Sequence, residues 1–238
     1  MANTREIEVH TEGIVLAGTL WAPREAPGLV ILATPSARGR FSAQRRCLAA
    51  QLRQQGLATL LIDLLTSDEE QGAVAAGEFR FDLELLGRRL LAATHWIAHH
   101  PDTLRMRIGC LDGPIGPGVA LDAAARRPHA VRAVVSIGAS PHVARKYVGR
   151  SKAPTLWLVG ERDATVLHLD PRQIAETFGE ADLEIVGGAG PLFAEPFALQ
   201  QAGAIAGRWF ARQLLDQPPP ALEAIRARQL GLAADPAR

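Results

Sequence analysis

Apolar and polar residues alternate in Glu6 to His10 and again in Val15 to Trp21, with Gly13 between them. A period of two on both sides of a glycine predicts an antiparallel hairpin at the start of the fold. Downstream the alternation stops. Leu29 to Ala33, Ala58 to Leu64, Arg107 to Leu111, Val131 to Ile137, Thr155 to Val159 and Leu183 to Val186 are short continuous runs of Val, Ile and Leu. Such runs belong to strands covered on both faces. Between them the pattern predicts helices over Ala43 to Gln55, Asp82 to His99, Pro117 to Arg126, Pro171 to Phe178 and Phe197 to Leu215. In the second of these, Leu83, Leu86, Leu90, Ala93 and Ile97 share one face behind Asp82, a residue suited to an N-cap. Strands that alternate with helices require right-handed crossovers, so the fold class is α/β with a mostly parallel sheet and helices on both faces. Thr66 to Gly77, acidic and small, reads as a loop.

Residues 1–216 make a single domain of this kind, and Pro218, Pro219 and Pro220 separate it from a tail, 217–238. In the tail, Leu222, Ile225, Gln229 and Leu232 could line up as a short helix. It is either a frayed end or a docking element for a protein partner. Composition narrows the partners: 26 Lys and Arg against 25 Asp and Glu give a net charge of +1, which offers no electrostatic reason to expect nucleic acid or an acidic membrane. The two cysteines, Cys47 and Cys110, read as buried free thiols in a reducing compartment. No stretch reaches the roughly 18 apolar residues of a membrane span, and Met1 to Thr11 lacks the apolar core of a signal peptide. A soluble, cytoplasmic protein is expected.

Chemistry in open α/β sheets gathers at the carboxyl ends of the strands. Those ends are Thr34 to Ser42, Asp112 to Gly118, Gly138 to His142, Gly160 to Thr165 and Gly187 to Phe193. With these go Phe79-Arg80-Phe81-Asp82-Leu83, the helix Leu90 to Ile97, Val131 to Ser136 and Ala153-Pro154-Thr155-Leu156. In this order, over about Leu29 to Leu215, they resemble the α/β-hydrolase superfamily, and within it the dienelactone-hydrolase-like branch. The resemblance implies a serine in a G-x-S-x-G elbow, an Asp after a later strand and a His after the last one. Here the elbow segment reads Asp112-Gly113-Pro114-Ile115-Gly116, with Pro114 in the serine position. Gly160-Glu161-Arg162-Asp163 keeps the acid at Asp163, whereas Gly188-Ala189-Gly190-Pro191-Leu192-Phe193 puts Pro191 where the histidine belongs. Thr34-Pro35 stands in place of the usual His-Gly after the third strand.

Proline has consequences that alanine would not. The elbow holds its central residue at positive φ, and a pyrrolidine ring fixes φ near −65°. The turn must therefore be rebuilt, with Gly113 extended before Pro114 and Pro117 opening the next helix. Hydrolysis by a Ser-His pair then has neither nucleophile nor base.

Among the remaining groups, Asp163 reads as a relic acid or a turn cap, and Asp112 as a new acid or a cap for the following helix. His142 is the histidine best placed to reach the cleft; His168 lies five residues after Asp163, and His95, His99, His100 and His129 read as structural. Arg38 and Arg40, with Ser36 and the Ile115 backbone, are candidates to hold an anionic ligand, the alternative being two solvated loop arginines. No His, Cys or carboxylate cluster has metal-ligand spacing, Gly187, Gly188 and Gly190 form no dinucleotide fingerprint, and no cofactor is expected. The leading expectation is a small-molecule-binding descendant, either a pseudoenzyme or a cofactor-independent lyase, isomerase or cyclase. The rivals are a structural or regulatory subunit with a filled cleft, and a residual esterase whose site has moved to Asp112, Asp163 and His142.

Overall fold

The computed structural model describes residues 4–26, 28–75, 82–113, 118–138, 145–146, 150–169, 171–178, 181–195 and 197–215. Pro114, Ile115, Gly116, Pro117, His142 and the 217–238 tail therefore lie outside the described residues, and so do the expectations placed on them.

Strands β1 (Arg5–Thr11) and β2 (Ile14–Trp21) form the expected hairpin, in register from Arg5 opposite Leu20 to Thr11 opposite Ile14. Next come β3 (Gly28–Thr34), α1 (Ala43–Gln54), β4 (Ala58–Asp63), α2 (Ser67–Ala75), α3 (Leu83–His99), β5 (Arg107–Asp112) and α4 (Val119–Arg126). They are followed by β6 (Ala133–Ile137), β7 (Thr155–Gly160), α5 (Ala164–Leu167), α6 (Pro171–Phe178), β8 (Asp182–Val186) and α7 (Ala198–Leu215). One eight-stranded sheet runs β1-β2-β4-β3-β5-β6-β7-β8, antiparallel at β1/β2 and β2/β4 and parallel from β4 to β8.

The pleat sorts side chains to two faces. Val30 and Leu32 of β3 pack with Leu48, Ala49 and Leu52 of α1 and with Ala202, Ala206 and Phe210 of α7. Leu29 and Ile31 turn the other way, into a core with Leu86, Leu90, Ala93 and Ile97 of α3 and Ala120 and Ala123 of α4. Each fully buried Leu or Ile is worth about 1.5–3 kcal/mol, so both layers are held mainly by apolar burial. The stripe read on α3 is the buried one, and Asp82 caps it by accepting from the Glu84 and Leu85 N–H groups at 2.9 and 3.0 Å.

Three segments differ from the sequence reading. The stretch 66–77 is helical over α2 rather than a loop. Its start is a capping box: the Glu69 N–H donates to Thr66 Oγ1 at 3.3 Å while the Thr66 N–H donates to Glu69 Oε2 at 2.9 Å. Glu69 also pairs with the buried Arg89 of α3, which donates to the Leu64 carbonyl at 2.7 Å and so ties α2 to the sheet. Helix α4 runs from Val119 behind a left-handed Gly118 (φ 96°), later than the expected start. The short α5 was not anticipated.

The order of strands fixes where a ligand can enter. From β3 the chain crosses on one face through α1 to β4, then returns on the other face through α3 to β5 on the far side of β3. Between the carboxyl ends of β3 and β5 the crossovers diverge, and open sheets leave a crevice at such a switch point.

Candidate functional site

The crevice is present. A cavity of about 330 Å³ lies there, lined by Thr34, Pro35, Ser36 and Gly39 after β3, by Ser42, Gln44, Arg45 and Leu48 at the start of α1, and by Leu192, Ala194 and Leu199 after β8. Thr34 ends β3 and Pro35 is buried. Gly39 closes over them so tightly that a Cβ would run into Thr34 and the Ser36 hydroxyl.

Of the loop arginines, neither reaches this cavity. Arg40 is committed elsewhere: its backbone N–H donates to Asp63 Oδ1 at 2.9 Å, its guanidinium pairs with Asp63 Oδ2, and Glu6 approaches at 3.4 Å. Asp63 is 1% exposed at the end of β4, and an arginine that neutralises it pins the 34–42 loop to the sheet. Burial still pushes the Asp63 carboxyl up, against the hydrogen bonds from Arg40. Arg38 is exposed. The expected pair of cavity cations is thus a structural ion pair and a solvated side chain; of the described residues in that group, Ser36 lines the cavity.

The cation that does line it is Arg45. Its residue is 7% exposed and its guanidinium lies against Gly113, where a Cβ would sit 2.9 Å from Nη2. No hydrogen-bond partner for Nη1 occurs among the described residues, and Thr34 Oγ1 and Ser36 Oγ are likewise buried without partners. Three orphan donors therefore border one cavity. Desolvation pulls the Arg45 pKa down and outweighs the raising influence of Asp112 and Asp63, which lie beyond ion-pair distance. Sequence reasoning missed Arg45 although the period marked it: residues 45, 48, 49 and 52 form the buried stripe of α1, and a charge on such a stripe is anomalous.

Asp112 caps α4. Its carboxylate accepts from the Gly118 N–H at 2.9 Å and from the Ala120 N–H at 2.9 and 3.1 Å, and burial raises its pKa to about 7 despite those bonds. The same burial pushes the neighbouring Cys110 thiol up, so the thiol stays protonated, while Cys47 is half-buried and also free. Asp163 is the N-cap of α5, its Oδ1 accepting from the Thr165 N–H at 3.0 Å and the Thr165 hydroxyl at 2.7 Å. The loops carrying Asp163 and Pro191 are laced together: the Arg162 N–H donates to the Ala189 carbonyl at 2.9 Å, and the Gly188 N–H donates to Glu161 Oε2 at 2.7 Å. Pro191 is exposed and its neighbour Leu192 faces the cavity. His168 is exposed. No group of three or more His, Cys, Asp and Glu suited to a metal occurs among the described residues, and none of their helices is long and apolar enough to cross a membrane.

A larger hollow of about 560 Å³ opens at the opposite, amino end of β5 and β6, lined by Arg107, Arg127, Arg132, His95 and His129 with Leu91, Leu104 and Met106. It borders no strand carboxyl end, so the divergent crossovers that make the first cavity do not form it.

Known proteins agree with the placement of the fold. The chain is 39% identical to a dienelactone hydrolase from Anabaena variabilis whose crystal structure superposes with a TM-score of 0.80, covering 90% of this chain and 99% of that one. A dienelactone-hydrolase-like promiscuous phosphotriesterase from metagenomic libraries, at 16% identity, shares the fold with a TM-score of 0.63 over 90% of this chain and all of that one. Two proteins of Mycobacterium tuberculosis, from strains CDC 1551 and H37Rv, carry the provisional name phosphoribosyl transferase and are 40% identical over 214 residues. That match takes in 90% of this chain but 47% of theirs, so the chain spans about half the length of these curated relatives. The model of the dienelactone hydrolase family matches residues 16–195, from the second strand of the hairpin to the loop after β8. With that span and this sheet order, the chain belongs to the dienelactone hydrolase family.

Proposed function

We propose that this chain is a non-hydrolytic descendant of its family that keeps the strand-end cleft as a small-molecule binding site. The observation that carries the reading is at the loops after β7 and β8: the residue in the base position is a proline with nothing to offer a proton, and the Asp163 carboxylate accepts from its own helix start. Pro114 in the nucleophile position supports the same conclusion from sequence. A Ser-His mechanism needs a hydroxyl and a base that takes its proton, and loss of either costs several orders of magnitude in rate. The open cavity favours ligand binding over a subunit whose cleft is filled by its own side chains.

The test is turnover of p-nitrophenyl acetate. The purified protein is expected to hydrolyse it no faster than its Asp163→Ala variant. Protein-dependent turnover of the ester above the uncatalysed rate would overturn the reading, and its loss in Asp163→Ala would assign it to the family's acid position.

A further inference from the structure

Arg45 is costly where it stands. It occupies the third position of α1, behind the Ser42 cap whose hydroxyl accepts from the Arg45 N–H at 3.2 Å, and a cation in the first turn opposes the helix dipole. It is buried, on a stripe otherwise held by Leu48, Ala49 and Leu52, and Nη1 has no partner among the described residues. Among the described residues no acid lies within ion-pair distance of it: Asp63 is taken by Arg40, and Asp112 accepts from the Gly118 and Ala120 N–H groups at the start of α4. Burying an unpaired charge lowers stability, and a buried group left unsatisfied by its own chain calls for an explanation such as a bound ion, water or ligand. Thr34 and Ser36 line the same cavity, and Thr34 Oγ1 and Ser36 Oγ are also buried without a partner among the described residues. All three groups donate hydrogen bonds. Backbone packs closely on these groups: a Cβ at Gly113 would press on the guanidinium, and one at Gly39 on Thr34 and the Ser36 hydroxyl.

We infer that Arg45, Thr34 and Ser36 form an oxyanion-binding subsite, taking the carboxylate or phosphate head of a small organic acid whose apolar body lies against Leu48, Leu192 and Leu199. This deepens the binding function proposed above and rests on it for the identity of the cleft. The guanidinium supplies the charge and one directed N–H, and the two hydroxyls turn to suit either a planar or a tetrahedral head. Leu192 is 62% exposed at the mouth, where an apolar body would cover it. Desolvation of the site strengthens the contact with the anion, since few waters compete there.

The probes are phenylacetate, phenyl phosphate and the neutral 2-phenylethanol, measured by calorimetry and thermal shift on the full chain and on Arg45→Met and Thr34→Val/Ser36→Ala. At least one acid is expected to bind and to raise Tm, with 2-phenylethanol much weaker. Arg45→Met should weaken that acid by roughly tenfold or more, and the double hydroxyl variant by several-fold. The relative affinity of the two acids assigns the head group. Arg45→Met should also melt no lower than the parent in the absence of acid, because a methionine fills the site without an unpaired charge. Unchanged affinity in Arg45→Met, no response of the parent to either acid at millimolar concentration, or an Arg45→Met that is markedly less stable than the parent would each overturn the subsite. Ester turnover would remove the non-hydrolytic reading while leaving acid binding to Arg45 intact, so the two failures are distinguishable.

Discussion

Asp112 offers a test of charge balance at the heart of the cleft. Its carboxylate is 2% exposed, held by the Gly118 and Ala120 N–H groups, and raised by burial from 3.8 to about 7. The folded protein thus holds this proton more tightly than the unfolded chain. The stability that Asp112 contributes is fully present below about pH 4 and is lost as pH rises through about 7. A shift of about three units corresponds to on the order of 4 kcal/mol across that window. Asp112→Asn removes the titration but keeps one oxygen for the start of α4, losing about 1 kcal/mol of capping. Urea unfolding from about pH 4 to about pH 8 should therefore show the parent losing stability as pH rises and the variant nearly flat, with Asp112→Asn the more stable of the two by about 3 kcal/mol at pH 8. A parent that is flat across this range, or a variant destabilised by several kcal/mol at pH 8, would mean that Asp112 is an ionised partner of Arg45. The claim that Arg45 lacks a counter-ion would then be wrong.

Further outcomes follow from other contacts. Arg89 holds the Glu69 carboxyl well below the usual range, at about 2, so Glu69→Gln should cost on the order of 1 kcal/mol at neutral pH, and the difference should fade as acid unfolding scans pass from about 4.5 towards 2. Gly109→Ala should lower stability by about 1–3 kcal/mol in thermal unfolding, because its Cβ would meet the Phe210 ring at 2.7 Å. Pro114→Ser with Pro191→His should leave esterase rates orders of magnitude below those of the same pair combined with Asp112→Gly and Pro35→Gly, since the double variant still lacks the first glycine of a G-x-S-x-G segment and the glycine of the usual His-Gly pair. Equal rates for the double and quadruple variants would show that the backbone there needs no rebuilding.

The sheet was readable because burial on two faces leaves unbroken runs such as Val30 to Leu32, and the α3 stripe because its period is close to 3.6. Helix α2 escaped because Ser67–Ala75 has no apolar stripe; its signal was the Thr66-Ser67-Asp68-Glu69 capping box, a local hydrogen-bond pattern that hydropathy does not carry. Site chemistry was harder to read. Arg38 and Arg40 were drawn to the cleft by their loop, yet whether a loop arginine faces solvent, an acid or a cavity is decided by residues far off in sequence, here Asp63 and Glu6. Arg45 was legible only as a misplaced charge on an apolar stripe, and in a chain whose cations are nearly all arginine such a charge is easily passed over.

The central claim is that this family member has no activated serine. It is tested most directly by the intact mass of the purified protein after incubation with a fluorophosphonate, which phosphonylates activated serines irreversibly. The expected spectrum is that of the unmodified chain, identical to a sample without reagent. A stoichiometric adduct mapping to Ser36, Ser140 or any other serine would contradict the account.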